Sequence, residues 1–173
     1  MQLIQNENKS LFSRPRYNND IAIWLRDFEW THLLTLSQKL ESFLFPIDES
    51  SFVEIVRTFF FRMDEKVYGK GQRASTIKHA TFFENKTKAG SPTHWHTHSL
   101  ISIEPRFAFK FCHEAKQQLT RLQYSGIIQF DQICDNLGGI NGAASYCAKY
   151  EHDNTLMFAN MEGVRKHNIL PFI

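Results

Sequence analysis

Three histidines alternate with other residues in His94-Trp95-His96-Thr97-His98. In a strand, residues two apart point to the same side. His94, His96 and His98 then share one face, and Trp95, Thr97, Ile101 and Ile103 share the other. Two neutral imidazoles two residues apart on a rigid strand are placed to bind one divalent ion. The competing reading is a surface cluster with no ligand, which 8 histidines in 173 residues make less improbable. Upstream, alternation groups Glu84 with Lys78 and Ala80, away from Ile77 and Phe83. A carboxylate with two imidazoles, and positions left for water and substrate, suits a hard catalytic ion such as Mg2+ or Mn2+. Glu84 reads equally as a surface carboxylate at a strand end.

A second group lies downstream. Tyr146, Lys149 and Tyr150 stand at i, i+3 and i+4, so on a helix they share a face. A tyrosine oxygen is a weak nucleophile at its ordinary pKa of about 10. A neighbouring cation and a metal-bound phosphate would help it. Taken alone, the triplet reads as an amphipathic helix with two half-buried tyrosines and a surface lysine.

The elements that must position these residues follow from pattern. Residues 30–37 are rich in strand formers, and residues 38–45 read as a short helix ending before Pro46. Residues 51–68 form the clearest helix, with Ser51 and Glu54 at capping-box spacing, Val53, Val56, Phe60, Met63 and Val67 at helical spacing, and Gly69 as a left-handed end. Residues 77–84 and 94–103 read as an antiparallel hairpin joined by the polar segment 85–92. A helix over about 107–122, a strand over 126–133 and a helix from about 141 that carries residues 146–151 complete the pattern. Helices that interrupt an antiparallel sheet predict an α+β fold, a ferredoxin/RRM-like sandwich with the histidine strand in the middle and the helices mainly on one face. Residues 1–18 read as an N-terminal arm, and residues 153–173 either complete the sheet or cover the last helix.

Composition bounds the class. Apolar residues make up 42% and charged residues 22%, as in ordinary globular chains, and the length suits one domain over 1–173. No apolar run is long enough to span a membrane, and residues 1–8 lack the order of a signal peptide, so the expectation is a cytoplasmic protein. Cys112, Cys134 and Cys147 are odd in number and widely spaced, and read as reduced, packed thiols. Net charge is +2, but residues 57–88 hold eight basic and three acidic residues against five and eight in residues 1–56. That segment is either a polyanion-binding surface or a solvated face.

The two chemical groups, in this order, resemble the HUH endonuclease superfamily, which includes rolling-circle replication initiators of plasmids and phages, relaxases and single-strand transposases. Thr31-His32-Leu33-Leu34-Thr35-Leu36 looks like its first motif, His96-Thr97-His98-Ser99-Leu100-Ile101 like its metal-binding strand, and Tyr146-Cys147-Ala148-Lys149-Tyr150 like its nucleophile helix. The resemblance covers about residues 30–152. It implies that Glu84, His96 and His98 bind the metal, with His94 as the alternate ligand. The family's residue between the histidines is usually bulky and apolar; Thr97 departs from that, and Trp95 would fit it if the pair were His94/His96. The resemblance further makes Tyr146 the nucleophile, Lys149 the phosphate's partner and Tyr150 a possible second tyrosine. The implied substrate is single-stranded DNA at a replication origin in a bacterial host, nicked through a 5′-phosphotyrosine and later rejoined. Lys70, Arg73 and Lys78 are the candidate backbone contacts. The chain has no Gly-x-x-x-x-Gly-Lys-Ser/Thr loop, so no nucleotide cofactor is expected and unwinding falls to a host helicase, with a host polymerase extending the free 3′ end. A transposase or relaxase, a metal-free nucleic-acid-binding module, and a hydrolase without a covalent intermediate remain as rivals.

Overall fold

The structure is a computed structural model that describes residues 14–38, 48–70, 77–86, 91–122, 126–134, 138–148 and 157–160. Its elements in chain order are α1 (Arg14–Arg26), β1 (His32–Gln38), α2 (Glu49–Tyr68), β2 (Lys78–Lys86), β3 (Pro92–Ser102), α3 (Pro105–Arg121), β4 (Gly126–Gln132), α4 (Gly139–Cys147) and β5 (Met157–Asn160). The expected short helix over 38–45 falls almost wholly outside the described residues.

The five strands form one antiparallel sheet in the order β4-β1-β3-β2-β5, with the histidine strand β3 at its centre as expected. β1 and β2 are both antiparallel to β3 and therefore parallel to each other, separated by β3. This split βαβ arrangement, continued by α3 and β4, is the α+β ferredoxin-like sandwich. β5 shows that part of the C-terminal tail completes the sheet, along β2.

The long helices α2 and α3 occupy one face. α2 buries Phe52, Val56, Phe59, Phe60, Met63 and Val67, a stripe at helical spacing. It packs on Leu34, Leu36, Phe83 and Ile101 of the sheet and on Phe111, Ala115 and Leu119 of α3. Burial of each large apolar side chain contributes about 1.5–3 kcal/mol. The start of α2 departs from the capping-box reading. Asp48 is the cap, its carboxylate accepting from the backbone N–H of Ser51 at 3.0 Å, so the helix begins a turn earlier. Gly69 ends it at φ 97° and ψ 159°, a positive φ but not the left-handed helical region. α3 opens on Pro105, whose missing N–H costs nothing in a first turn.

The opposite face carries a second, smaller cluster that the sequence did not suggest. Leu25, Phe28 and Trp30 pack with Ala80, Phe82 and Leu100 of the sheet and with Ala144 and Cys147 of α4. Part of the supposed N-terminal arm, from Arg14, is thus helix α1, which packs against α4. Trp30 is not in the first strand; its Nε1 donates to the carbonyl of Leu25 at 2.7 Å and closes the α1–β1 corner. None of the three cysteines is in a disulfide, and only Cys147 is buried; Cys134 is exposed, against the expectation of a packed thiol. No helix among the described residues is long and apolar enough to cross a membrane.

Candidate metal centre

Register assembles the site. β2 pairs with β3 so that Glu84 lies opposite His96 and Phe82 opposite His98, and β1 places Thr35 opposite His98. The pairing of β2 with β3 shifts between Glu84 and Lys86, just beyond the carboxylate, where such irregularities re-aim a strand. Glu84, His96 and His98 consequently point from adjacent strands to the face under α4. One ligand atom from each lies within 4.8 Å of the others.

The polar partners of these groups fix their orientation. Nδ1 of His96 is 2.9 Å from the backbone oxygen of His94. A carbonyl only accepts, so Nδ1 bears the proton and Nε2 of the neutral ring presents a lone pair. That Nε2 lies 3.2 Å from Oε2 of Glu84, and Nε2 of His98 lies 4.0 Å from the same oxygen. The Glu84 side chain is only 3% exposed, and neither of its oxygens accepts a hydrogen bond among the described residues. A buried carboxylate facing an imidazole lone pair is repulsive unless a proton or a cation stands between them. Two ligand atoms bonded to one ion at about 2.1 Å stand about 3–4 Å apart, and the 3.2 and 4.0 Å spacings fall in that range. One carboxylate and two imidazoles therefore fit a divalent ion, and they leave its identity open.

His98 has its own support, which the sequence reading missed. Nδ1 of His98 is 3.0 Å from Oγ1 of Thr35. A hydroxyl at that nitrogen holds the ring and leaves Nε2 for the site. The available signal was the Thr-Leu ending of the first motif, which has no meaning until β1 and β3 are placed in register. His94, the alternate ligand, is outside the cluster and contributes its backbone oxygen instead. Thr97 is fully buried on the α2 side, and its Oγ1 has no hydrogen-bond partner among the described residues.

α4 brings the tyrosine. The Tyr146 ring lies edge-on to that of His98, centroids 4.7 Å apart, and the residue is 44% exposed. α4 begins after Gly138 at φ 78°, a conformation that favours glycine, and it docks on β3. Arg26 of α1 donates to Oγ of Ser145 at 2.9 Å, beside the tyrosine. α4 ends at Cys147, short of the expected span, and Lys149 and Tyr150 lie outside the described residues, as does Arg73. Lys78 sits on β2 six residues before Glu84, about 20 Å away at about 3.3 Å per residue. Lys70 is exposed just past α2, the helix on the sheet's other face. The structure thus unites Glu84, His96, His98 and Tyr146, and does not bring Lys70 or Lys78 to them.

No family model matches the chain, and neither does any curated protein or any solved structure.

Proposed function

We infer that the chain is a metal-dependent endonuclease that cuts and rejoins single-stranded DNA through Tyr146, in the manner of HUH replication initiators. The observation that carries this reading is the placement of Tyr146 against His98, itself one of three residues that could hold a metal ion. A tyrosine beside a cation site, half open to solvent, is suited to attack a phosphate.

A bound divalent ion would polarise the phosphoryl oxygens and offset their charge. Glu84, His96 and His98 would hold that ion. Tyr146 would supply the attacking oxygen: its phenolic oxygen bonds to phosphorus, its proton passes to solvent, and the 3′ oxygen departs and takes up a proton. The phosphotyrosine bond conserves the diester linkage, so a 3′ hydroxyl can reverse the step without nucleotide hydrolysis. The family resemblance assigns Lys149 to the phosphate and Tyr150 to a possible second attack. It also assigns the origin-bound strand as substrate, with helicase and polymerase from the host.

The test is incubation with single-stranded DNA and Mn2+, followed by a denaturing gel. A covalent protein–DNA adduct is expected, lost in Tyr146→Phe and in EDTA. An adduct that persists in Tyr146→Phe overturns the choice of nucleophile, and no adduct with any divalent ion overturns the nuclease reading.

A further inference from the structure

Beside the metal centre, β1, β4 and α4 enclose a cavity of about 350 Å³. That is near the lower end of ligand-pocket sizes, about 300–1,000 Å³. Leu33 of β1 and Ala143 of α4 line it, and Gly139 and Gly142 leave the helix wall without side-chain bulk. His98 and Tyr146 line it as well, so it adjoins the atoms that would hold and attack a phosphate.

Its polar lining has a defined hydrogen-bonding sense. Gln129 and Asp131 stand on β4 opposite Thr35 and Leu33, on the site face. Nε2 of Gln129 donates to Oδ2 of Asp131 at 2.7 Å. A carboxylate only accepts, so this contact forces the amide to turn its NH2 group toward Asp131. The pair then offers the cavity chiefly acceptors: the amide oxygen of Gln129 and the second oxygen of Asp131.

We propose that this cavity receives one unpaired guanine of the bound strand, read by Asp131 and Gln129. The proposal rests on the nuclease reading for its substrate class and adds base recognition to it. Guanine presents two adjacent donors, N1–H and the 2-amino group, which match side-by-side acceptors. Thymine presents a single N–H between two carbonyl oxygens, which would face the carboxylate. Cytosine and adenine offer one amino group each and rank between. The flat base fits between Leu33 and the Gly142–Ala143 wall, and its phosphate would extend toward His98 and Tyr146.

The experiment compares binding of (dT)9 with 9-mers carrying one central dG, dC or dA, by fluorescence anisotropy in EDTA, which removes the metal from the comparison. The dG oligomer is expected to bind at least about fivefold more tightly than (dT)9, the lower limit for a good two-point base contact. Asp131→Asn, which replaces an acceptor-only carboxylate with an amide that also donates, is expected to erase that difference between the dG oligomer and (dT)9. Equal binding of dG and dT oligomers, or no binding of any, overturns the proposal. The covalent adduct, assayed separately with Mn2+, distinguishes the two failures: base discrimination without an adduct keeps the pocket and sinks the nuclease, and an adduct without discrimination does the reverse.

Discussion

The contact between Glu84 and His96 sets the chemistry of the site. The buried carboxylate takes no hydrogen bond among the described residues and faces a ring nitrogen whose partner atom already carries the proton. Without a cation or a proton between the two groups the arrangement is destabilising; a bound cation stabilises the fold by mass action, by about 2.7 kcal/mol at a concentration 100 times Kd. Glu84→Gln is therefore expected to abolish the rise in thermal midpoint on adding Mn2+ while leaving the metal-free protein at least as stable as the parent. A variant that still gains stability with Mn2+ would remove Glu84 from the ligand set. Thr35 acts one step further out, through Nδ1 of His98. Thr35→Val keeps the shape and removes the hydroxyl, and is expected to weaken Mn2+ binding by about 10- to 100-fold, the usual cost of losing such a support. Isothermal titration reads this directly, and unchanged affinity would make Thr35 a spectator.

Elements turn these residues into a site, and α4 is the critical one. Its start depends on Gly138, at φ 78°, where an added Cβ would come within 3.3 Å of Cα of Gly142. Gly138→Ala meets both the left-handed penalty, about 1–2 kcal/mol, and that close approach. It is expected to lower the urea midpoint accordingly and to reduce adduct formation while Mn2+ affinity holds, since β2 and β3 carry the ligands. Parallel losses in metal binding and adduct would mean that α4 does not act separately from the strands. The Gly138-Gly139 pair marked this helix start in the sequence, and period-two alternation put His94, His96 and His98 on one face of their strand, whereas Glu84 was joined to them through the resemblance until the β2–β3 register placed it opposite His96. The hairpin and the βαββαβ order were legible for the same reason, because strand and helix periods differ sharply in 77–103 and 51–68. α1 was not legible: Arg14-Pro15-Arg16 and the polar Asn18, Asn19 and Asp20 hide a helix whose apolar residues are confined to a short C-terminal stretch. The partners of Thr35 and of the Gln129–Asp131 pair depend on strand register, which no local pattern encodes.

At the scale of the whole molecule, helices pack on both faces of the sheet, and two titratable groups in the α2 layer pull stability in opposite directions. His79 of β2 is buried, stacks on Phe60 with centroids 3.7 Å apart, and is pushed down to about 3 by desolvation. Asp64 of α2 is pushed up to about 6, chiefly by burial, although the N–H of Ile77 donates to it at 2.6 Å and works the other way. Between pH 3 and 6.5 the unfolded chain holds a proton on His79 that the folded chain lacks, so acid destabilises the fold. Between about pH 3.8 and 6 the folded chain holds a proton on Asp64 that the unfolded chain lacks, so its contribution is lost as pH rises through that window. One proton corresponds to about 1.4 kcal/mol per pH unit, reduced for the partly solvated Asp64, so the two slopes nearly cancel with His79 slightly ahead. His32, lowered by burial, adds to the His79 trend. Urea midpoints in EDTA between about pH 4 and 6 should thus rise only gently with pH in the parent protein. In His79→Leu the trend should reverse and stability should fall as pH rises, because Asp64 is then opposed only by the less buried His32. In Asp64→Asn the rise should steepen, because the buried imidazole is no longer opposed. Parallel pH profiles for the parent and both variants would show that neither group titrates differently on folding.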